Sequence, residues 1–205
     1  MLDRYSTAFI QPMVTTLGKG LHTLGLSANQ VTLAGFALGV VAAGFISQQA
    51  YLWGLAFLLA SRLLDALDGA VARLTQATDA GGFLDIALDF LFYALIPLAF
   101  AIANPTANAL AAAVLLAAFI GTGSSFLAFA VLAAKRGLHN PELPNKSFYF
   151  LGGLTEATET LVVFVAMCYW PQHFALLAYG FAFLCALTIA TRIGWGWWRL
   201  KQLDE

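Results

Sequence analysis

Apolar runs long enough to cross a lipid bilayer constrain this 205-residue chain more than any other feature. A hydrocarbon core about 30 Å thick needs roughly 18 or more apolar residues in a helix. Hydropathy places six such spans, at 29–47, 50–73, 83–103, 107–134, 150–170 and 173–198. Inside a bilayer every backbone N–H and C=O must be satisfied by the protein itself, so only helices and closed barrels span it. The runs do not alternate over about ten residues as barrel strands do. The expected fold is an all-α integral membrane protein with six transmembrane helices and an N-terminal amphipathic interfacial helix. A mean hydropathy of +0.79 agrees with this. Without an internal repeat or a low-complexity linker, the chain reads as one membrane domain, 1–205, with an interfacial helix at 1–24 and a six-span bundle at 25–205.

The first residues, MLDRYSTAFIQPM, do not read as a secretory signal. Leu2, Tyr5, Phe9, Ile10, Met13, Val14 and Leu17 make an approximate helical stripe, the pattern of a helix lying in the interface. Pro12 is a possible kink, and a mobile tail is the alternative. Ten Lys and Arg residues fall on one side of the six-span arrangement, or in helix ends near it. The opposite loops, near 48–51, 104–108 and 170–173, carry none. By the positive-inside rule that basic side is cytoplasmic, with both termini there. Basic residues on that face also suit anionic membrane lipids. GWGWWRLK at 194–201 has the composition of an interfacial anchor closing the last span. Cys168 and Cys185 lie in apolar runs and read as core or lipid-facing residues without a disulfide.

Against this background, LLDALDGAVARLTQATDAGGFLDIALDF (63–90) places five aspartates in a chain that is 10% charged. Asp65, Asp68, Gly69 and Ala72 are spaced three, one and three apart and share one helical face. That face combines two carboxylates with two residues of almost no side chain. TQATDAGG then reads as a turn-prone link, and Asp85 and Asp89 share a face of the following helix. One aspartate at the centre of a spanning helix costs about 2.5–3.5 kcal/mol on insertion scales. Four facing anions repel as well, and the nearby Arg73 cannot neutralise them. A divalent cation can, and hard oxygen ligands suit Mg²⁺ or Mn²⁺. Carboxylate-bound Mg²⁺ usually keeps positions open for phosphates, which points to a lipid phosphate or diphosphate. The plainer alternative is a set of surface aspartates capping helices.

Asp65-x2-Asp68-Gly69-x2-Ala72-Arg73, a spacer, then Gly81-x3-Asp85-x3-Asp89 resembles in full the signature of the CDP-alcohol phosphatidyltransferases. The segment LSANQVT, with Asn29 and Thr32, is similar to the one that precedes the family's first span. The resemblance implies transfer of a phosphatidyl group from CDP-diacylglycerol, or a related CDP-linked lipid, to a polar alcohol with release of CMP. It also implies that Asp65, Asp68, Asp85 and Asp89 hold two Mg²⁺ or Mn²⁺ ions, with Asp89 doubling as general base. Gly69, Ala72, Arg73, Gly81, Asn29 and Thr32 would then bind the nucleotide. A homodimer in the inner membrane, active on the cytoplasmic side, belongs to the same expectation.

The acceptor alcohol, glycerol 3-phosphate or another small alcohol, is not assigned. Lys135, Arg136, Lys146 and Arg192 are the basic candidates for its pocket. Glu156 and Glu159, three apart in GGLTEATET, would instead suit a cationic or polyhydroxyl head group, or pair with Arg192. They would also sit well in the first turn of a helix. His22, His139 and His173 are scattered and lack metal-ligand spacing; His139 stands near three basic residues. Gly121-Thr-Gly123-Ser124-Ser125 suits close helix packing or the lining of a lipid groove. No hydrolase triad is visible, and nothing points to nucleic-acid binding, since the basic residues are few and follow the membrane rule. A transporter or cation pathway would place acids near the midplane of several spans, whereas here they cluster on one hairpin. Intramembrane prenyltransferases carry two separated acidic motifs, and a non-catalytic scaffold would have lost motif residues; neither pattern is present.

Overall fold

The computed structural model describes residues 3–137 and 153–204. Among them the chain forms seven α-helices: α1 (Asp3–Thr23), α2 (Ala28–Ser47), α3 (Tyr51–Leu74), α4 (Asp79–Ala103), α5 (Pro105–Lys135), α6 (Ala157–Tyr169) and α7 (Phe174–Asp204). One 3-10 turn, Pro171–His173, links the last two. No strand occurs among the described residues.

Short polar side chains start the helices. The Ser27 hydroxyl accepts from the Gln30 N–H, and the Gln30 side chain accepts from the Ser27 N–H at 2.9 Å, a reciprocal cap that opens α2. Thr78 caps α4 by accepting from the Gly81 N–H at 3.1 Å. Asn104 caps α5, with Pro105 in the first helical position where its missing N–H is no loss. Gly25, at φ +79°, turns the chain between α1 and α2 in a conformation that favours glycine.

α2 packs along both α3 and α4, and α5 packs along α4 and α7. The core between them is aromatic and aliphatic, with Phe92, Ile96, Phe100, Leu115, Phe164 and Phe174 fully enclosed. Phe100 stacks on Phe174 at 4.6 Å and on Tyr51 at 5.6 Å. Gln49 donates to the Ala103 carbonyl at 2.8 Å. These contacts gather the three links that lack Lys and Arg, 48–50, 104 and 170–173, at one end of the bundle. Outward-facing Leu110, Ile120 and Leu176 are each more than 70% exposed. Apolar surface on that scale belongs against lipid.

Four helices, α2, α4, α5 and α7, are long and apolar enough to cross a membrane. The count of six spans is therefore met only in part, for two physical reasons. α3 is 24 residues long but carries Arg62, Asp65, Asp68 and Arg73. The described part of the fifth segment, expected over 150–170, is the 13-residue α6, about 20 Å long at 1.5 Å per residue. α1 runs on through Pro12 and lies against α3, where Val14 joins Val31, Leu67 and Ala70. Met13 and Leu17 of its expected stripe stay exposed. Arg62 and Arg192 lie well inside α3 and α7 rather than near helix ends, and their surroundings explain how.

Candidate active site

α3 and α4 bring one carboxylate oxygen each from Asp65, Asp68 and Asp85 within 4.8 Å of one another. α2, packed on both helices, sets their separation. Asp68 is 5% exposed, and its Oδ2 has no hydrogen-bond partner among the described residues. A buried, unpartnered carboxylate oxygen is costly unless a cation completes it. Three hard oxygen donors converging on one point fit Mg²⁺ or Mn²⁺.

The expected nucleotide residues lie on the same three helices, α2, α3 and α4. Thr32, buried on α2, neighbours Asp68 and donates to the Ala28 carbonyl at 3.0 Å. A side chain added at Gly69 would meet nothing within 4 Å except an Arg73 guanidinium nitrogen at 3.5 Å, so the α3 backbone is open there. Ala72 is half-buried and Arg73 exposed in the last turn of α3. Gly81 differs. A methyl group there would lie 2.9 Å from the Asn29 Oδ1 and 3.1 Å from the Thr78 hydroxyl, so the space it leaves is taken by Asn29 and the α4 cap.

Asp89, one turn beyond Asp85, is held by Arg62. One guanidinium nitrogen of Arg62, Nη1, lies 2.6 Å from the Asp89 Oδ1 and 3.3 Å from the Asp65 Oδ1. The guanidinium rests on the Phe92 ring, 3.7 Å from its centre. Sequence reasoning left Arg62 out of the site. Its spacing of three from Asp65 is legible in the chain, but its partner on α4 is not.

Asp89 also lines an open cavity of about 620 Å³ between α4, α5, α6 and α7. Glu156, Arg192, Thr122, Tyr93 and Cys185 line it too. Arg192 is 8% exposed, donates to the Thr122 carbonyl at 3.2 Å and has no partner for its Nε among the described residues. Glu156 accepts from the Gly153 N–H at 3.1 Å, and Glu159 accepts from the Glu156 N–H at 3.1 Å, so both acids order the start of α6. Of the two, Glu156 lines the cavity. Thr155 hydrogen-bonds the buried Thr188 at 3.0 Å and ties this segment to α7. Arg136 stands elsewhere, paired with Asp204 and donating to the Leu203 carbonyl, and Lys135 is exposed beside it. Lys146 and His139 lie outside the described residues. The small residues of α5 serve packing and lining together: Gly121 makes room for Ile189 and Gly123 for Phe90, while Thr122 and Gly123 face the cavity. Cys185 is thus a buried cavity residue, and Cys168 is buried in the core.

A family model described as CDP-alcohol phosphatidyltransferase matches residues 26–195, the stretch that contains every residue of this site. The chain belongs to the CDP-alcohol phosphatidyltransferase family. Among its relatives is the inner membrane protein YnjF of Escherichia coli (strain K12), 53% identical over 205 residues and the whole of both chains. An archaetidylinositol phosphate synthase of Pyrococcus horikoshii is 40% identical over 93 residues, 44% of this chain and 48% of that one. The Mycobacterium tuberculosis phosphatidylinositol phosphate synthase PgsA1, solved with CDP-DAG bound, superimposes with a TM-score of 0.72. That match covers 91% of this chain and 94% of the other at 21% identity, a likeness of fold. The matched stretch includes all of α3 and α4, the helices that carry the aspartate cluster.

Proposed function

We propose that this membrane protein transfers a phosphatidyl group from a CDP-linked lipid to the hydroxyl of a small polar alcohol and releases CMP. The observation that carries the reading is the position of Asp89, which stands beside the aspartate cluster and on the wall of the cavity at once. Asp65, Asp68 and Asp85, with Asp89 able to contribute, would hold Mg²⁺ or Mn²⁺ against the donor's diphosphate. When bound, such ions neutralise the diphosphate and the departing CMP. The open backbone at Gly69 and the exposed Arg73 offer the nucleotide a place on the outer side of the cluster.

The acceptor enters from the cavity side. Its hydroxyl oxygen forms a bond to the lipid-bearing phosphorus, the bond from that phosphorus to the bridging oxygen breaks, and CMP leaves with the electron pair. The hydroxyl proton passes to the Asp89 carboxylate. Holding the hydroxyl and phosphorus in line accounts for much of the rate, because it removes the entropy of bringing two molecules together. Arg192 and Glu156 bracket the far end of the acceptor, one matching an anionic group and the other a hydroxyl or cation. The partial likeness to an archaetidylinositol phosphate synthase supports a polyol phosphate among the acceptors to test. The basic helix ends support a cytoplasmic-facing site.

The test is CMP release from CDP-diacylglycerol by the purified protein with Mg²⁺ or Mn²⁺, across glycerol 3-phosphate, inositol phosphate, serine, ethanolamine, choline and phosphatidylglycerol. Release that depends on one alcohol and stops with EDTA is expected. Turnover that persists without divalent metal overturns the reading.

A further inference from the structure

Arg62 is a cation where a membrane helix tolerates one poorly. It sits midway along α3, and its side chain is 11% exposed. Such a residue is retained only when its neighbours satisfy it. Here they satisfy its two terminal nitrogens, while Nε is buried without a hydrogen-bond partner among the described residues. Nη1 stands between two carboxylates on different helices, 3.3 Å from Asp65 on α3 and 2.6 Å from Asp89 on α4. Nη2 donates to the buried Ser61 hydroxyl at 3.3 Å. The planar face lies on Phe92, and Phe92 lies there because α2 offers Gly39, where a methyl group would come within 2.6 Å of the ring. Three helices thus determine the position of one nitrogen.

We propose that Arg62 is a positioning residue for Asp89, its guanidinium bridging the proton acceptor to the aspartate cluster and fixing where that carboxylate meets the acceptor hydroxyl. The role rests on the reading of Asp89 given above. A lone charge would balance the carboxylates from many positions. A planar group with two donors, seated on a ring, defines one. Misplacement of a reacting group by about 1 Å costs on the order of 100-fold in rate, so a bridge of this kind has consequences beyond charge. Lysine keeps the charge but has neither the fork nor the stacking face.

Arg62→Lys and Arg62→Gln, purified with the unaltered protein alongside, separate the possibilities. Both variants are expected to lose about 100-fold in kcat, while KM for donor and acceptor and the Mn²⁺ binding curve move less than about threefold. Full kcat in Arg62→Lys overturns the proposal, because charge alone then suffices. A loss of Mn²⁺ affinity that matches the loss of rate overturns it too, because Arg62 would then serve the cluster and not Asp89. Should neither variant fold, Phe92→Leu keeps Arg62 and removes its seat. A reduced kcat with unchanged KM supports the role, and an unchanged kcat overturns it. Inactivity of the unaltered protein against every alcohol would instead sink the proposed function, and this role with it.

Discussion

Proton transfer and cation binding ask different things of a carboxylate. A metal ligand must share its ion with neighbours, whereas a base must face the group it deprotonates. Among Asp65, Asp68, Asp85 and Asp89, Asp89 alone lines the cavity, while the other three close on one point. Asp89→Asn should therefore lower turnover by about 10²–10⁴-fold, the range for loss of a general base, and leave CDP binding within a few-fold; near-normal turnover would remove Asp89 from the role. Glu156→Gln should raise the acceptor KM about tenfold with donor KM unchanged, since a hydrogen bond to a charged group contributes about 1.5–3 kcal/mol. An unchanged acceptor KM would leave Glu156 a role in ordering the start of α6. The motif aspartates were legible from spacing because three and four residues are neighbours on a helix. Arg62 was not, because 27 residues separate it from Asp89 and only the packing of α2 against α3 and α4 brings them together.

At the level of elements, the site depends on helices that carry none of its carboxylates. α1 reaches α3 through Gly18, where a methyl group would lie 2.8 Å from the Ala70 Cβ, between Asp68 and Arg73 in the chain. Gly18→Leu should cost about 1–3 kcal/mol through overpacking and lower the thermal midpoint in detergent. Activity should fall with it, because the displaced α3 carries two of the three clustered aspartates. An unaltered midpoint would show that α1 can lift from α3 without strain. Helix starts were partly readable. Ser27 and Gln30 show the reciprocal cap as letters, and TQATDAGG holds the Thr78 cap of α4. The start of α6 was ambiguous, because Glu156 and Glu159 suit either a helix end or a pocket, and Glu156 serves both.

For the whole molecule, the basic helix ends and the uncharged links assign opposite faces. A cysteine introduced at Gln48 should react with a membrane-impermeant maleimide added outside intact cells, and one at Lys201 only after the membrane is opened. Labelling of Gln48 solely from within would reverse the orientation. Cys168 and Cys185 are buried and should stay unlabelled in either case. Class, approximate helix positions and the acidic motif were set by local chemistry: apolar length, period 3.6 and the spacing of like charges survive in a chain read one residue at a time. The cavity, the seat of Arg62 on Phe92, the separate fates of Arg136 and Arg192, and the filling of the Gly81 gap by Asn29 were decided by tertiary structure. Each is a meeting of side chains from different helices, and packing between helices is settled by shape across the bundle, which no single stretch of sequence contains.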